Sequence, residues 1–379
     1  MKTNSFIIFI TFFLFPLTLS AEDNYEKLYG VNIDGQWDTS YVSSDSGSIA
    51  NWLPGVNANW ATVQVTWFQD SLSSNKIYQA TSTTKCSTRT PADDSLKKYI
   101  NSLHEKGLKV ILKFYVYVDG WCNDENLWFG NIQPTNIDEW FTSYRAAVLK
   151  YSKIAEETKA EIFSFGNELR NQSGNYREEH WGPLIKEIRG SFKGKLIYCA
   201  AFPNRPEWVD AEYNSVVFWD LVDYIGINFW PSAQPPVSES GTPSVEQIKE
   251  AYRPFKTLID NWYDSNNFSN KIIITEFGSP NRDYCVDTPY NAWLNNTTNE
   301  LCQKNSYEAH FQVFQDDYRI TGMFSHEDLV DHVNDDKYQA RGRLAEPVLS
   351  YWFKKMKESS LPGKNTNSLS GINLLLLDK

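Results

Sequence analysis

The chain has 379 residues, enough for two ordinary domains or one large α/β barrel. Its formal net charge of −11 argues against a nucleic-acid partner, because a phosphate-binding face needs a basic excess. Aromatic residues make up 15% of the chain and include 14 Trp, a surplus over a generic core that leaves flat apolar faces to line a binding surface.

The sequence opens MKTNSFIIFITFFLFPLTLS. Lys2 supplies a positive start, and the apolar run 6–19, broken by Pro16, leads to the small residues Thr18 and Ser20, the pattern of a secretory leader cleaved after Ser20. The run is short for a membrane span and no stop-transfer segment follows it. The expectation is an exported, soluble and monomeric chain with a main domain over 21–360. The segment 361–379, which opens LPGKNTNSLSG, is expected to be a flexible tail.

Eight apolar, β-rich runs then recur: 28–33, 62–67, 109–116, 162–168, 195–202, 221–229, 271–278 and 320–326. Many are continuously apolar, as strands buried on both faces should be. Helical patterns fill gaps between them. PADDSLKKYINSLHEKG starts with Asp93 and Asp94 and stops at Gly107, with Leu96, Ile100 and Leu103 as an apolar stripe. IDEWFTSYRAAVLKYSKIAEETK precedes the fourth strand, SVEQIKEAYRPFKTLIDNWYDS the seventh, and AEPVLSYWFKKMKES follows the eighth. Five Cys suit an oxidising compartment with one left over; Cys86–Cys122 and Cys285–Cys302 are the expected loop bridges, and Cys199, inside an apolar strand, the expected buried thiol. Asn171, Asn267, Asn295 and Asn296 head glycosylation sequons.

Alternating strands and helices without a dividing linker predict a single (β/α)8 barrel rather than two doubly wound halves. In such a barrel the active site forms at the C-terminal strand ends. Glu168, preceded by Asn167, falls at that end of the fourth strand, and Glu276 at that end of the seventh. A single glutamate there would be read as a rim ion-pair partner of Arg or Lys; two at matching ends suit a shared reaction. Two carboxylates across a sugar-sized cleft are what glycosidic cleavage needs, one protonated to serve the leaving oxygen and one ionised to attack. Asn167 is placed to bond a sugar 2-hydroxyl. No nucleotide-binding loop or serine-nucleophile motif is present, and this chemistry needs no metal or cofactor.

These stretches resemble the retaining (β/α)8 glycoside hydrolases of clan A, and most of all glycoside hydrolase family 113, the β-1,4-mannanase-like barrels. The likeness runs through GNEL (166–169) and TEFG (275–278), and also through TWFQD (66–70), TPADDSLKKYINSLHEKGLKVILK (90–113), IDEWFTSYR (137–145), FWDLVDYIGIN (218–228) and YQARGRLAEPVLSYW (338–352). The resemblance implies Glu168 as general acid/base and Glu276 as nucleophile, about 5–5.5 Å apart, with net retention. It implies a poly- or oligosaccharide partner. The chain departs from the family at three strand ends. Lys113-Phe-Tyr-Val stands where the family reads Lys-Pro-His-Val, so Tyr115 replaces a site His. Phe229 stands where the clan often has a Tyr that bonds the nucleophile, and Phe324-Ser-His-Glu-Asp replaces a Trp-rich stretch under the first sugar. Those changes keep two rivals open, a sugar-binding barrel without turnover and a glycan-remodelling transglycosylase. Trp67, Trp121 and Trp230 are candidate stacking platforms; Tyr115, Asn228 and His326 are candidate partners for sugar hydroxyls.

Overall fold

In the computed structural model, eight strands pair in parallel, each with the next and β8 with β1, and so close a barrel. They are β1 (Leu28–Asp34), β2 (Trp60–Gln69), β3 (Lys109–Val118), β4 (Ile162–Asn167), β5 (Lys195–Ala201), β6 (Tyr224–Phe229), β7 (Lys271–Phe277) and β8 (Ile320–Leu329). The single (β/α)8 barrel read from the sequence is therefore the fold. The structure describes residues 26–359 apart from 36, 83–88, 119–126, 209–210, 239–240, 295–296 and 331–336. The expected leader and tail, Cys86, Cys122, Trp121, Asn295 and Asn296 lie outside the described residues.

The predicted helices form as α2 (Asp93–Glu105), α3 (Ile137–Thr158), α7 (Val245–Asn266) and α9 (Glu346–Ser359). Their ends have local causes. The Asn136 side chain accepts from Glu139 N to start α3, and Ser244 and Gln247 make a reciprocal capping box at α7. Gly107, at φ +77°, turns the chain from α2 into β3, a conformation glycine adopts without penalty. The described residues also contain α1 (Ser44–Gly55), α4 (Arg170–Ser173), α5 (Gly182–Ser191), α6 (Glu212–Ser215) and α8 (Glu300–Phe314), which the periodicity had not marked. Among the described residues no helix is long and apolar enough to cross a membrane.

Strand alternation sorts side chains into two layers. Ile197 and Ile273, for example, point inward, while Leu196, Tyr198, Ile272 and Ile274 join the outer layer under the helices; past Ile274 the register of β7 shifts, so Glu276 faces inward and Phe277 packs outward. One end of the barrel interior is closed by an apolar plug of Leu28, Trp60, Ile111, Ile162, Ile197, Ile273 and Phe324, with Tyr224 packed on it, one residue from every strand. Two to four residues further along the same strands the buried interior turns polar: Asn32, Gln64, Lys113, Ser164, Asn228 and Thr275. Buried polar groups are costly unless paired, so this layer must be wired together. It leads directly to the C-terminal strand ends.

Candidate active site

The alternation of β3 turns Lys113 and Tyr115 inward, while Phe114 packs outward against Trp67, Tyr144 and Tyr151. Lys113 is fully buried, and its Nζ donates to Glu276 Oε1 at 2.6 Å. The Tyr115 hydroxyl donates to the same oxygen at 2.6 Å. Trp230, one residue past β6, donates Nε1 to Glu276 Oε2 at 3.1 Å. Removing a lone ammonium or carboxylate from water costs several kcal/mol, so each of these buried charges depends on the other. On the far side stands His326. Its Nδ1 lies 3.9 Å from Glu276 Oε2, and its Nε2 lies 3.2 Å from Glu327 Oε1. Glu327 Oε2 in turn sits 3.5 Å from Gln64 Nε2.

Glu168 follows β4 directly, in the left-handed region at φ +49°. That conformation costs a non-glycine residue on the order of 1–2 kcal/mol, and here three bonds offset it. The Glu168 N–H donates to Cys199 O at 2.8 Å. Its Oε1 accepts from Asn228 Nδ2 at 2.8 Å and its Oε2 from Trp128 Nε1 at 2.8 Å. Asn228 is itself oriented, since its Oδ1 accepts from Thr275 Oγ1 at 2.8 Å and its Nδ2 also reaches Asn167 Oδ1 at 3.0 Å. Asn228 is the register partner of Glu276 across β6 and β7, so one amide links the strand pair carrying one glutamate to the side chain of the other. Asn167 uses its Oδ1 on Asn228, and its buried Nδ2 has no acceptor among the described residues.

The two carboxyls are pushed in opposite directions. Burial acts to raise both. At Glu276 it is overcome by the Lys113 ammonium, by His326 and by the Tyr115 hydroxyl, which hold the group well below the usual carboxylate range. At Glu168 burial is joined by the negative charge of Glu276, and together they outweigh the Asn228 and Trp128 donors and the distant Lys113, raising its pKa. His326 is buried against its charge, yet Glu327 and Glu276 lift it to about 9, so it is an imidazolium at neutral pH.

The structure thus gathers Glu168, Glu276, Asn167, Tyr115, Asn228, Trp230 and His326 at one mouth, but some do other work than expected. Tyr115 and Asn228, expected to bond sugar hydroxyls, spend their polar atoms on Glu276 and Glu168. Trp67 is a correction: its indole faces outward from β2, donates Nε1 to Tyr151 OH at 3.0 Å and packs edge-on to Phe114, because the strand's alternation gives the interior to Gln64 and Thr66. Phe229 is likewise outside the site, fully buried among Phe202, Tyr252, Phe255 and Phe314. The hydroxyl it seemed to lack reaches Glu276 from Tyr115 instead. Glu327 lies at the mouth beside His326, as its strand-end position implies, whereas Lys113, Gln64, Trp128 and Thr275 were not expected in the site. Lys113 carried a signal, a charge in the middle of an apolar strand; Trp128, in a loop, carried none. The Cys285–Cys302 bridge forms as expected and Cys199 is a buried free thiol. A cavity of about 350 Å³ beside α4, lined by Gln133, Arg170, Asn171 and Tyr176 among others, includes neither glutamate.

The family model described as Glycoside Hydrolase Family 113 matches residues 29–341. No curated protein sequence matches the chain. Among solved structures, a β-mannanase of that family, AaManA from Alicyclobacillus acidocaldarius in complex with ManMIm, superposes with a TM-score of 0.72 at 20% identity, covering 89% of this chain and 100% of that one. A β-1,4-mannanase of the same family gives 0.68 at 20% identity, over 87% and 99% of the two chains. A β-glucuronidase from Ruminococcus gnavus is more distant, at 0.54 and 14% identity over 86% of this chain and 50% of that one.

Proposed function

The chain belongs to glycoside hydrolase family 113, and from that premise we propose that it cleaves β-linked, mannan-type glycans with retention, using Glu276 as nucleophile and Glu168 as acid/base. The observation that carries this reading is the opposed setting of the two buried carboxyls: the Lys113 ammonium holds Glu276 low, while burial and the charge of Glu276 raise Glu168. Environments that push paired carboxyls apart assign the acid and the base.

Glu276 Oε1 already accepts two strong bonds, while Oε2 has one longer bond and keeps a lone pair for the anomeric carbon. Attack by Oε2 forms the glycosyl ester as the bond to the leaving oxygen breaks, and Glu168 gives that oxygen its proton. Loss of the Glu276 charge lets Glu168 remain ionised. It then takes a proton from water, which attacks the anomeric carbon and releases Glu276. The orphan Asn167 Nδ2 is a donor awaiting an acceptor, and a 2-hydroxyl of the bound sugar fits that need. The intact set of donors on Glu276 favours turnover over binding alone. The mannan-type substrate is drawn from the family 113 neighbours, which are β-mannanases.

Assays of the wild type, Glu168→Gln and Glu276→Gln on β-mannan, β-glucan and manno-oligosaccharides test this. We expect hydrolysis of the mannan by wild type and a loss of about 10²- to 10⁴-fold in Glu168→Gln, the usual weight of general acid–base catalysis. Undiminished hydrolysis in either variant would end the assignment. We also infer export: the leader-like start and the Cys285–Cys302 disulfide suit an oxidising compartment. A mature N-terminus far from residue 21 would overturn that.

A further inference from the structure

A third buried glutamate lies behind the site. Glu212, on α6, is 1% exposed and accepts three bonds: Oε1 from Ser173 Oγ at 2.8 Å and from the Tyr198 hydroxyl, and Oε2 from Ala201 N at 2.7 Å. The Tyr198 oxygen, having donated to Glu212, accepts from Leu169 N at 2.9 Å. Leu169 is the residue after Glu168, and Ser173 ends α4, the short helix that follows it. Glu212 therefore binds the last residue of β5, the helix after Glu168 and, through Tyr198, the peptide adjoining Glu168.

The backbone has been fitted to this arrangement. Tyr198 sits in the helix-side layer beneath Gly166, where any Cβ would come within 2.8 Å of the Tyr198 ring and 2.7 Å of the Tyr144 hydroxyl. Glu168 is the residue of this segment in the left-handed region, so its aim depends on the peptides on both sides being fixed. Cys199 O holds the N–H before its side chain, and the Tyr198–Glu212 pair holds the N–H after it.

We propose that Glu212, acting through Tyr198, is a positioning residue that holds the Glu168 segment so that its carboxyl stays buried and aimed at the leaving oxygen. This rests on Glu168 being the acid/base. Glu212 touches neither reacting carboxyl. Burial lifts it to about 8 against its three donors.

The test compares Tyr198→Phe and Glu212→Gln with wild type on two substrates. A 2,4-dinitrophenyl β-mannoside leaves without a proton, whereas a manno-oligosaccharide needs one. Both substitutions are near-isosteric, and capture of Glu276 by a 2-fluoro dinitrophenyl mannoside counts the molecules with a folded site, so rates are expressed per trapped site. We expect kcat/KM on the oligosaccharide to fall about 10- to 100-fold, part of the full general-acid effect, with a change of no more than about threefold in the trapping rate. The alkaline limb of the pH profile should move to lower pH, because a loosened Glu168 gains solvent and loses its upward shift. The ionisable groups facing Glu168 are Glu276, Lys113 and Glu212, and those facing Glu212 are Tyr198, Tyr144 and Glu168; Glu168→Gln, measured alongside, removes that limb. Equal losses on both substrates, or no loss, would overturn the proposal. If Glu168→Gln itself spares the oligosaccharide, the acid/base assignment falls, and the proposal with it.

Discussion

Tyr115 decides whether the departures from the family pattern disable the site. Its hydroxyl donates to the ionised form of Glu276, and a bond to a charged group is worth about 1.5–3 kcal/mol. Tyr115→Phe should therefore lower kcat/KM by roughly 10- to 100-fold and move the acid limb of the pH profile to higher pH, since Glu276, the proposed nucleophile, loses a donor that favours its charged form. A pH–rate series on an aryl glycoside reads both effects. Phe229 predicts the reverse of what its sequence position suggests. A hydroxyl added by Phe229→Tyr would enter an aromatic layer behind the strand, so thermal melting should show a loss of about 1–3 kcal/mol and assays no gain in rate. At this scale the sequence singled out the residues proposed to bear the chemistry but not whom they bond. Glu168 and Glu276 stood out because a carboxylate is anomalous at the end of an apolar strand. The pairing of Tyr115 with Glu276 spans 161 positions and is set by barrel closure, which no local pattern encodes.

At the scale of elements, strand alternation explains both the successes and the failure at Trp67. The eight runs were legible because strands buried on both faces are continuously apolar. That same continuity hides which face is inward, so the sequence places Trp67 at the mouth while the fold packs it outward against Tyr151. Helices with caps and stripes, such as α3 and α7, were legible; α1, with Gly47, Pro54 and a weak stripe, was not. The loop between β7 and α8 carries its own brace. The Cys285–Cys302 bridge has a sequence separation of 17, a span for which loop-closure entropy predicts about 3 kcal/mol. A Cys285→Ala, Cys302→Ala double variant should melt several degrees lower than wild type, and an unchanged melting temperature would show that the surrounding packing alone fixes this loop.

For the whole molecule, the buried charges at the mouth couple stability to pH. His326 has its pKa lifted to about 9 in the fold, above the roughly 6.5 of an unfolded histidine. Its contribution is complete below the unfolded value and is lost as pH rises through the folded one. Glu212, lifted to about 8, acts in the same direction: the folded state holds a proton there that the unfolded chain has released. Glu276 has the opposite sign, with its contribution present above the ordinary carboxylate range and lost as pH falls through its depressed folded value. Urea midpoints should thus decline between about pH 6.5 and 9, and His326→Gln should flatten that decline. An equally steep decline in the variant would place the titration elsewhere.

The barrel, its plug and its wired polar layer bring two glutamates from the ends of β4 and β7 to one opening, with their carboxyls pushed in opposite directions. Peptide mapping by mass spectrometry after inactivation with a 2-deoxy-2-fluoro mannosyl donor tests this most directly. One sugar per chain is expected, esterified to Glu276 and turned over when an acceptor is added. A sugar on any other residue, or an inverted anomer as the first product of the natural reaction, would contradict it.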